Sequence, residues 1–198
     1  MLSIPKDEIK RKAFHLLSLI YVFGYWYLPK NIVLLGLGIA ITIAAFLEYV
    51  RFKFPKFNDF FKNNFKGFYR PQEIDKVSGL VWTLSGAFVT ILLFPNKSIV
   101  FASLLYLSLG DAAAALVGKV IGKHKIVLTG KSIEGSLACF KACLIVGLVL
   151  FNAKFALIGA IIATLVEAIP WKLNDNFWMQ IINAGILTVL SNIMVWEK

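Results

Sequence analysis

Charge is scarce in this sequence. Asp, Glu, Lys and Arg make up 16% of 198 residues against 59% hydrophobic ones, and the mean hydropathy is +0.75. A soluble domain carries about 25% charged residues, so an ordinary soluble chain is excluded. Intrinsic disorder, which needs low hydrophobicity and high net charge, is excluded with it. Cysteine is scarce too. Cys139 and Cys143 lie four apart in one apolar segment, where they share a helix face and make no disulfide scaffold. Two histidines far apart give no basis for a zinc site. HExxH, GxSxG, internal repeats and low-complexity tracts are all missing. Acidic residues number 11 against 21 basic ones, for a net charge of +10. In a soluble protein that balance would suggest nucleic acid. In a membrane protein it asks which side the basic residues occupy, and no nucleic-acid partner is expected.

Apolar length is what the sequence has in abundance. Seven spans are read near 14–29, 31–47, 78–95, 98–118, 136–151, 155–170 and 177–196, some short of the roughly 20 residues needed to cross a bilayer and so expected to extend into their flanks. Further spans follow the first directly, so no cleaved signal peptide is expected. Sixteen of the 21 Lys and Arg residues precede span one or lie in the loops after spans two, four and six. Only Lys30, Lys97, Lys154 and Lys198 lie on the other side, with Lys141 inside span five. The positive-inside rule puts the N-terminus in the cytoplasm and the C-terminus outside. The fold class expected is an all-α polytopic membrane protein with residues 1–198 as one integral domain. It would sit in the plasma membrane if the organism is a prokaryote.

Segment 51–77 is a separate element, with an amphipathic helix expected near 55–69. Phe57, Phe60, Phe61, Phe65 and Phe68 share one face, while Lys56, Lys62 and Lys66 lie toward the other. A basic amphipathic helix lies in the membrane interface, as an anchor on membrane lipids or as a lip that guides a lipid substrate.

The polar residues gather at one depth. His15 opens span one, Glu48 closes span two with Arg51 one turn later, Lys141 follows the start of span five, Glu167 closes span six, and Asp175 and Asn176 precede span seven. The outer halves of all seven spans hold no Asp, Glu, Lys, Arg or His. A transporter needs a polar path or a midplane site. This pattern instead reads as a polar site in the inner leaflet, open to the cytoplasm. Asp111 lies about 10 Å inside its helix end, too deep for a short carboxylate to snorkel.

Residues 108–138, SLGDAAAALVGKVIGKHKIVLTGKSIEGSLA, are the most informative. Gly110, Ala114, Gly118 and Gly122 form a small-residue face for close helix packing. The loop after them combines Lys119, Lys123, Lys125 and Lys131 with Gly130 and Gly135, and ends in Ser132, Glu134 and Ser136. Lysines, backbone amides near a helix start and nearby carboxylates suit a phosphate chain with a divalent metal. TGKS at 129–132 is not a Walker A loop, because Lys125 stands where its first glycine belongs. Carboxylates suit Mg2+, with Asp111 joined by Glu134, Glu167 or Asp175. The residues thus describe a membrane enzyme using a phosphate or nucleotide substrate at the cytoplasmic face, with a lipid as its second substrate.

Several blocks resemble a known family: EIKRKAFH at 8–15, EYVR at 48–51, SGLVWTLSG at 78–86 (with Ser78 and Gly79), GDAAAALVGKVIGK at 110–123, GKSIEGSLA at 130–138 and EAIPWKLNDN at 167–176. In this order they resemble the CTP-dependent lipid-alcohol kinases, which include dolichol kinase, phytol kinase and the fungal diacylglycerol kinase. The resemblance implies transfer of the γ-phosphoryl group of CTP to a lipid hydroxyl with Mg2+. Asp111, Asp175 and Glu134 would serve the metal. Asp111, Glu134, Asp175 and Lys131 would be catalytic. Lys119, Lys123, Lys125, Gly130, Ser132, Gly135, Ser136 and Arg51 would meet the nucleotide. Arg11, Lys12, His15, Glu48, Ser78, Gly79, Lys141, Glu167 and Asn176 would support them. Phosphatidate cytidylyltransferases share an Asp–Ala–Gly stretch, a lysine-rich loop and a segment like Lys131–Gly135, but their closing His-Gly-Gly is missing here. A non-enzymatic lipid-binding or transport protein is the remaining class, and it predicts that amide substitutions of Asp111 and Glu134 are harmless.

Overall fold

The structure, a computed structural model, describes residues 6–64, 76–169, 171 and 174–194, apart from the side chains of Lys6, Asp7 and Asn63. Phe65, Lys66, Phe68 and Lys172, and the ends of the segments expected at 55–69 and 177–196, lie outside the described residues. The described chain is helical, with no strand; one isolated antiparallel bridge joins Lys125 to Ser132.

Proline and asparagine punctuate the helices. Helix α1 (Lys6–Leu16) turns through Leu17 and Ser18 into α2 (Leu19–Tyr27), the turn tightened by 3.0 Å bonds from Leu17 N to Phe14 O and from Ser18 N to His15 O. Leu28 is extended, as a residue before proline must be, and Pro29 leads into α3 (Lys30–Lys53). Phe54 repeats the device before Pro55, which opens α4 (Pro55–Asn64). Phe94 repeats it again before Pro95, after α5 (Gly79–Leu93). Asn96, Asn152 and Asn174 each precede a helix and accept a backbone N–H from its first turn, at 3.1, 3.0 and 3.0 Å.

Helix α6 (Lys97–Leu105) runs through a π-helical segment, Tyr106–Asp111, into α7 (Ala112–Val120). This continuous 24-residue rod is the centre of the bundle: 78% of its apolar window is buried, against 22% for α3 and 28% for α8 (Ile133–Leu150). Helices α8 and α10 (Asp175–Ser191) pack directly on the rod, α9 (Ala153–Ala168) lies against α8, and α5 fills between α3 and α10. Among the described residues three helices, Lys30–Lys53, the rod and Ile133–Leu150, are long and apolar enough to cross a membrane; α5 is a shorter apolar helix.

The small-residue face does what its spacing predicts. A Cβ on Gly110 would come within 2.7 Å of Cys143 Sγ, one on Gly118 within 2.8 Å of Ser132 Oγ, and one on Gly135 within 2.7 Å of Ala114 O. Glycine therefore lets α7 lie directly on the start of α8, which brings the lysine-rich loop back over Asp111. The π-helical segment widens the rod and ends at Asp111, whose side chain meets Lys12 of α1.

Candidate functional site

Two cavities meet at one carboxylate. The first, of about 370 Å³, lies between the α7–α8 loop, α1 and the facing ends of α9 and α10. Arg11, Lys119, Lys125 and Lys131 line it with the carboxylates of Glu8, Asp111, Glu167 and Asp175 and with Gly118, Gly130, Ser132, Gly135 and Ser136. The second, of about 450 Å³, runs between α1, the start of α2, α4 and α5. Phe14, Leu17, Tyr21, Phe61, Leu80 and Leu84 supply most of its apolar wall, with Ser18, Asn64, Ser78, Gly79, Thr83 and Asn176 among them. Arg11 and Asp111 line both, and Lys12 and His15 line the second.

The loop under the first cavity is a short hairpin. Ile126 N donates to Lys131 O at 2.8 Å, Gly130 N to Ile126 O at 2.8 Å, and Ile133 N to His124 O at 2.9 Å. Gly130 turns the chain with φ +69, a conformation that costs glycine little. Ser132 then caps α8, its Oγ accepting from Gly135 N at 3.1 Å. The hairpin thus sets Lys125, Gly130, Lys131 and Ser132 on one wall, beside the positive end of the α8 dipole.

Opposite charges are paired across this wall. Lys131 Nζ donates to the backbone oxygen of Glu167 and, at 2.7 Å, to Glu167 Oε1, and it stands 4.0 Å from Asp175 Oδ2. Lys12 donates to Asp111 Oδ2. His15 Nε2 lies 3.6 Å from the same oxygen and 3.4 Å from Leu107 O. Glu8 holds Arg11 at 2.5 Å and Lys119 at 3.9 Å. Among the described residues no three His, Cys, Asp or Glu side chains are grouped to cage a metal. Asp111, Glu167 and Asp175 nevertheless line one cavity, and Glu167 Oε2 is buried without a hydrogen-bond partner. That donor set fits Mg2+ brought with phosphates, which takes only one or two protein carboxylates.

The chain is 33% identical over 181 residues to an uncharacterised protein of Rickettsia prowazekii, covering 85% of this chain and 87% of that one. It is 34% identical over 142 residues to CTP-dependent diacylglycerol kinase 1 of Saccharomyces cerevisiae, covering 69% of this chain and 48% of the yeast protein, so it spans about half of that relative's length. To CTP-dependent diacylglycerol kinase 1 of Schizosaccharomyces pombe it is 27% identical, over 93% of this chain and 94% of that one. No family model and no solved structure matches the chain. The chain belongs to the CTP-dependent lipid kinase family. Its apolar helices and these relatives make it an integral membrane protein.

Most of the family's expected site residues converge. Asp111, Asp175, Lys131, Lys119, Lys125, Gly130, Ser132, Gly135, Ser136, Arg11 and Glu167 line the first cavity; Lys12, His15, Ser78, Gly79 and Asn176 line the second. Five do not join them. Glu134, expected beside the metal, turns to the loop instead: its carboxylate accepts from the backbone N–H of Lys123 and of His124 at 3.2 Å, and His124 Nδ1 lies 2.7 Å away. The physical reason is position, since a first-turn glutamate of α8 is within reach of the amides of the incoming loop. Lys123 serves there through its backbone, and Lys141 lies exposed on α8, outside both cavities. Arg51, expected at the nucleotide, is buried beside its own helix neighbour: it bonds Glu48 Oε2 at 2.6 Å and the backbone oxygen of Lys76 at 2.6 Å. This pair ties the end of α3 to the segment entering α5.

Sequence reasoning missed Glu8, 4% exposed in the first cavity, although it opens the EIKRKAFH block. It also missed Tyr21, which lies in none of the family-like blocks, and Thr83, although it lies within SGLVWTLSG at 78–86; both line the second cavity.

Proposed function

We propose that this protein transfers the γ-phosphoryl group of CTP to the hydroxyl of a lipid alcohol in the cytoplasmic leaflet. What carries the reading is the meeting of a cation-lined cavity with a largely apolar one at Asp111 and Arg11. Phosphoryl transfer asks mainly for alignment and charge neutralisation, and each cavity is suited to one partner. Lys119, Lys125, Lys131 and Arg11 draw in the triphosphate, and the Ser136 hydroxyl, buried without a partner, is a donor for a phosphate oxygen. Bound with the nucleotide, Mg2+ supplies positive charge against the phosphate oxygens; Asp111 and Asp175, with the free Glu167 oxygen, would hold it.

The lipid lies in the second cavity with its hydroxyl toward Asp111 and His15. Lys12 pairs with Asp111 at the junction, and Phe61 on α4 brings the interfacial helix to the lipid's side. Glu134 acts through the loop rather than on the phosphates, holding the amides of Lys123 and His124 so that the lysines keep their places. The names of the relatives supply CTP as donor and diacylglycerol or dolichol as acceptors. A polyprenol, phytol, geranylgeraniol or diacylglycerol fits the same scheme.

The deciding experiment gives the purified protein Mg2+ and CTP labelled at either the α- or the γ-phosphate, with a mixture of polyprenol, phytol, diacylglycerol and phosphatidate. Label moving from the γ-position into lipid is expected. Label moving from the α-position, only when phosphatidate is present, would make the protein a cytidylyltransferase. For topology we propose seven spans, with the N-terminus and both cavities on the cytoplasmic side, supported by the Lys and Arg distribution. An impermeant maleimide applied to sealed cells should label Lys97→Cys and Lys154→Cys and spare Lys123→Cys; the reverse pattern inverts the assignment.

A further inference from the structure

The ammonium of Lys131 is held by oxygen atoms alone. It donates to the backbone oxygen of Glu167 and, at 2.7 Å, to Glu167 Oε1, and it stands 4.0 Å from Asp175 Oδ2. Carboxylates and a carbonyl are also what a hard divalent cation takes as ligands. Glu167 lies in the last turn of α9, so its backbone oxygen belongs to the negative end of that helix dipole. Its side chain is 6% exposed and lines the first cavity, and its second oxygen, Oε2, is buried with no hydrogen-bond partner. Buried carboxylate oxygens are ordinarily paired. The ammonium therefore uses only part of what these oxygens can bind.

The backbone of Lys131 is fixed. Its oxygen accepts from Ile126 N at 2.8 Å, and the next residue, Ser132, caps α8 by accepting from Gly135 N at 3.1 Å. Its side chain is a compact charge on a flexible four-carbon stem, able to change partners without the loop moving. We propose that Lys131 is a placeholder for the metal. It neutralises Glu167 and Asp175 until a divalent cation takes its position, and then turns to the phosphates that arrive with that cation. Two cations cannot share these oxygens, because like charges repel strongly at this separation where water is partly excluded. Metal entry and phosphate entry are thereby coupled, since the phosphates give the displaced ammonium a new partner. The inference rests on the kinase reading above for its phosphates, and it makes Glu167 a metal ligand.

The test reads binding rather than turnover. The purified full chain in detergent is titrated with Mn2+ alone, followed by electron paramagnetic resonance. Lys131→Met should bind Mn2+ about tenfold more tightly than wild type, because a competing charge is gone. Glu167→Gln should lose Mn2+ binding yet bind metal-free CTP several-fold more tightly, because Lys131 is released. In wild type, Mg2+ alone should raise acetylation of the Lys131 amine by acetic anhydride several-fold and leave Lys123 unchanged. That measurement decides the question if Lys131→Met does not fold. Mn2+ binding no tighter in Lys131→Met, or Lys131 acetylation unmoved by Mg2+, overturns the exchange. A salt bridge that only braces the fold would give that result, with CTP binding weakened in both variants. Wild type with γ-labelled CTP separates this from the kinase reading. Label in lipid without the exchange strikes the placeholder alone. Label in no lipid strikes the kinase reading, and the metal measurements still decide the placeholder.

Discussion

The two cavities that meet at Asp111 are built in opposite ways. The phosphate side is a loop and a helix start, 119–136, where lysine, glycine and serine are close in sequence and backbone bonds shape the wall. The lipid side is an assembly of helix faces, with residues from 11–21, 61–64, 78–84, 111 and 176 that no local pattern connects. On the proposed reading, the difference teaches where specificity for each partner would reside. Phosphate recognition needs charge and free amides, which a short segment can carry. A lipid tail needs only apolar volume, which several helices must enclose together.

The sharpest way to break this comparison is at the junction. Asp111→Asn should lower turnover about a thousandfold or more, as loss of a centre of charge stabilisation does. It should also destabilise the fold, because Lys12 would be left buried and unpaired, at a cost of about 3–5 kcal/mol. Adding Lys12→Met should restore the melting temperature and not the turnover. Restored turnover would show that Asp111 serves only to neutralise Lys12.

Next in size is Lys131→Met, which removes a charged contact from the phosphate wall and should lower kcat/KM for CTP about a hundredfold, with KM for lipid unchanged. A matching rise in the lipid KM would show that the two cavities do not separate their partners. Glu134→Gln should have a smaller effect, about tenfold on KM for CTP through a loosened loop. The Mg2+ concentration for half-maximal rate should not move; if it rises sharply, Glu134 reaches the metal after all. The smallest effect is expected on α4. Phe61→Ser should raise KM for lipid several-fold, as expected when apolar area is lost from a lipid wall, and more than Phe60→Ser, because Phe61 lines the cavity while Phe60 is exposed. Equal effects from both would reduce α4 to an anchor.

Much of the lining of the first cavity was legible in the sequence. Gly110, Ala114 and Gly118 at a spacing of four foretold the close approach of α7 and α8, and that approach alone returns the lysine loop to Asp111. Asp111 was legible through the cost of placing a carboxylate inside an apolar helix. Glu134 and Arg51 show the limit. Both are charged residues in family-like blocks, yet Glu134 turns to two loop amides and Arg51 to Glu48 and Lys76. Reach and orientation decided them, and neither is a property of residue type. The first span shows the same limit in the fold: its apolar run begins inside α1, and a turn at Leu17 and Ser18 divides it. That turn sets Ser18 against Ser108 and puts Tyr21 at the second cavity.

The sequence by itself determined that the chain is a helical membrane protein with its polar groups at one depth, because the transfer cost of each residue is local and additive along a helix. It also singled out the residues from Lys119 to Ser136 as a candidate phosphate site, since they lie within one loop and one helix start. Only the tertiary structure decided which side chains face each other across 90 or more residues. Lys12 meets Asp111, Ser18 meets Ser108, and α1, α4 and α5 enclose a common space. Such contacts depend on how whole helices pack, and packing is set by shape complementarity over many residues at once.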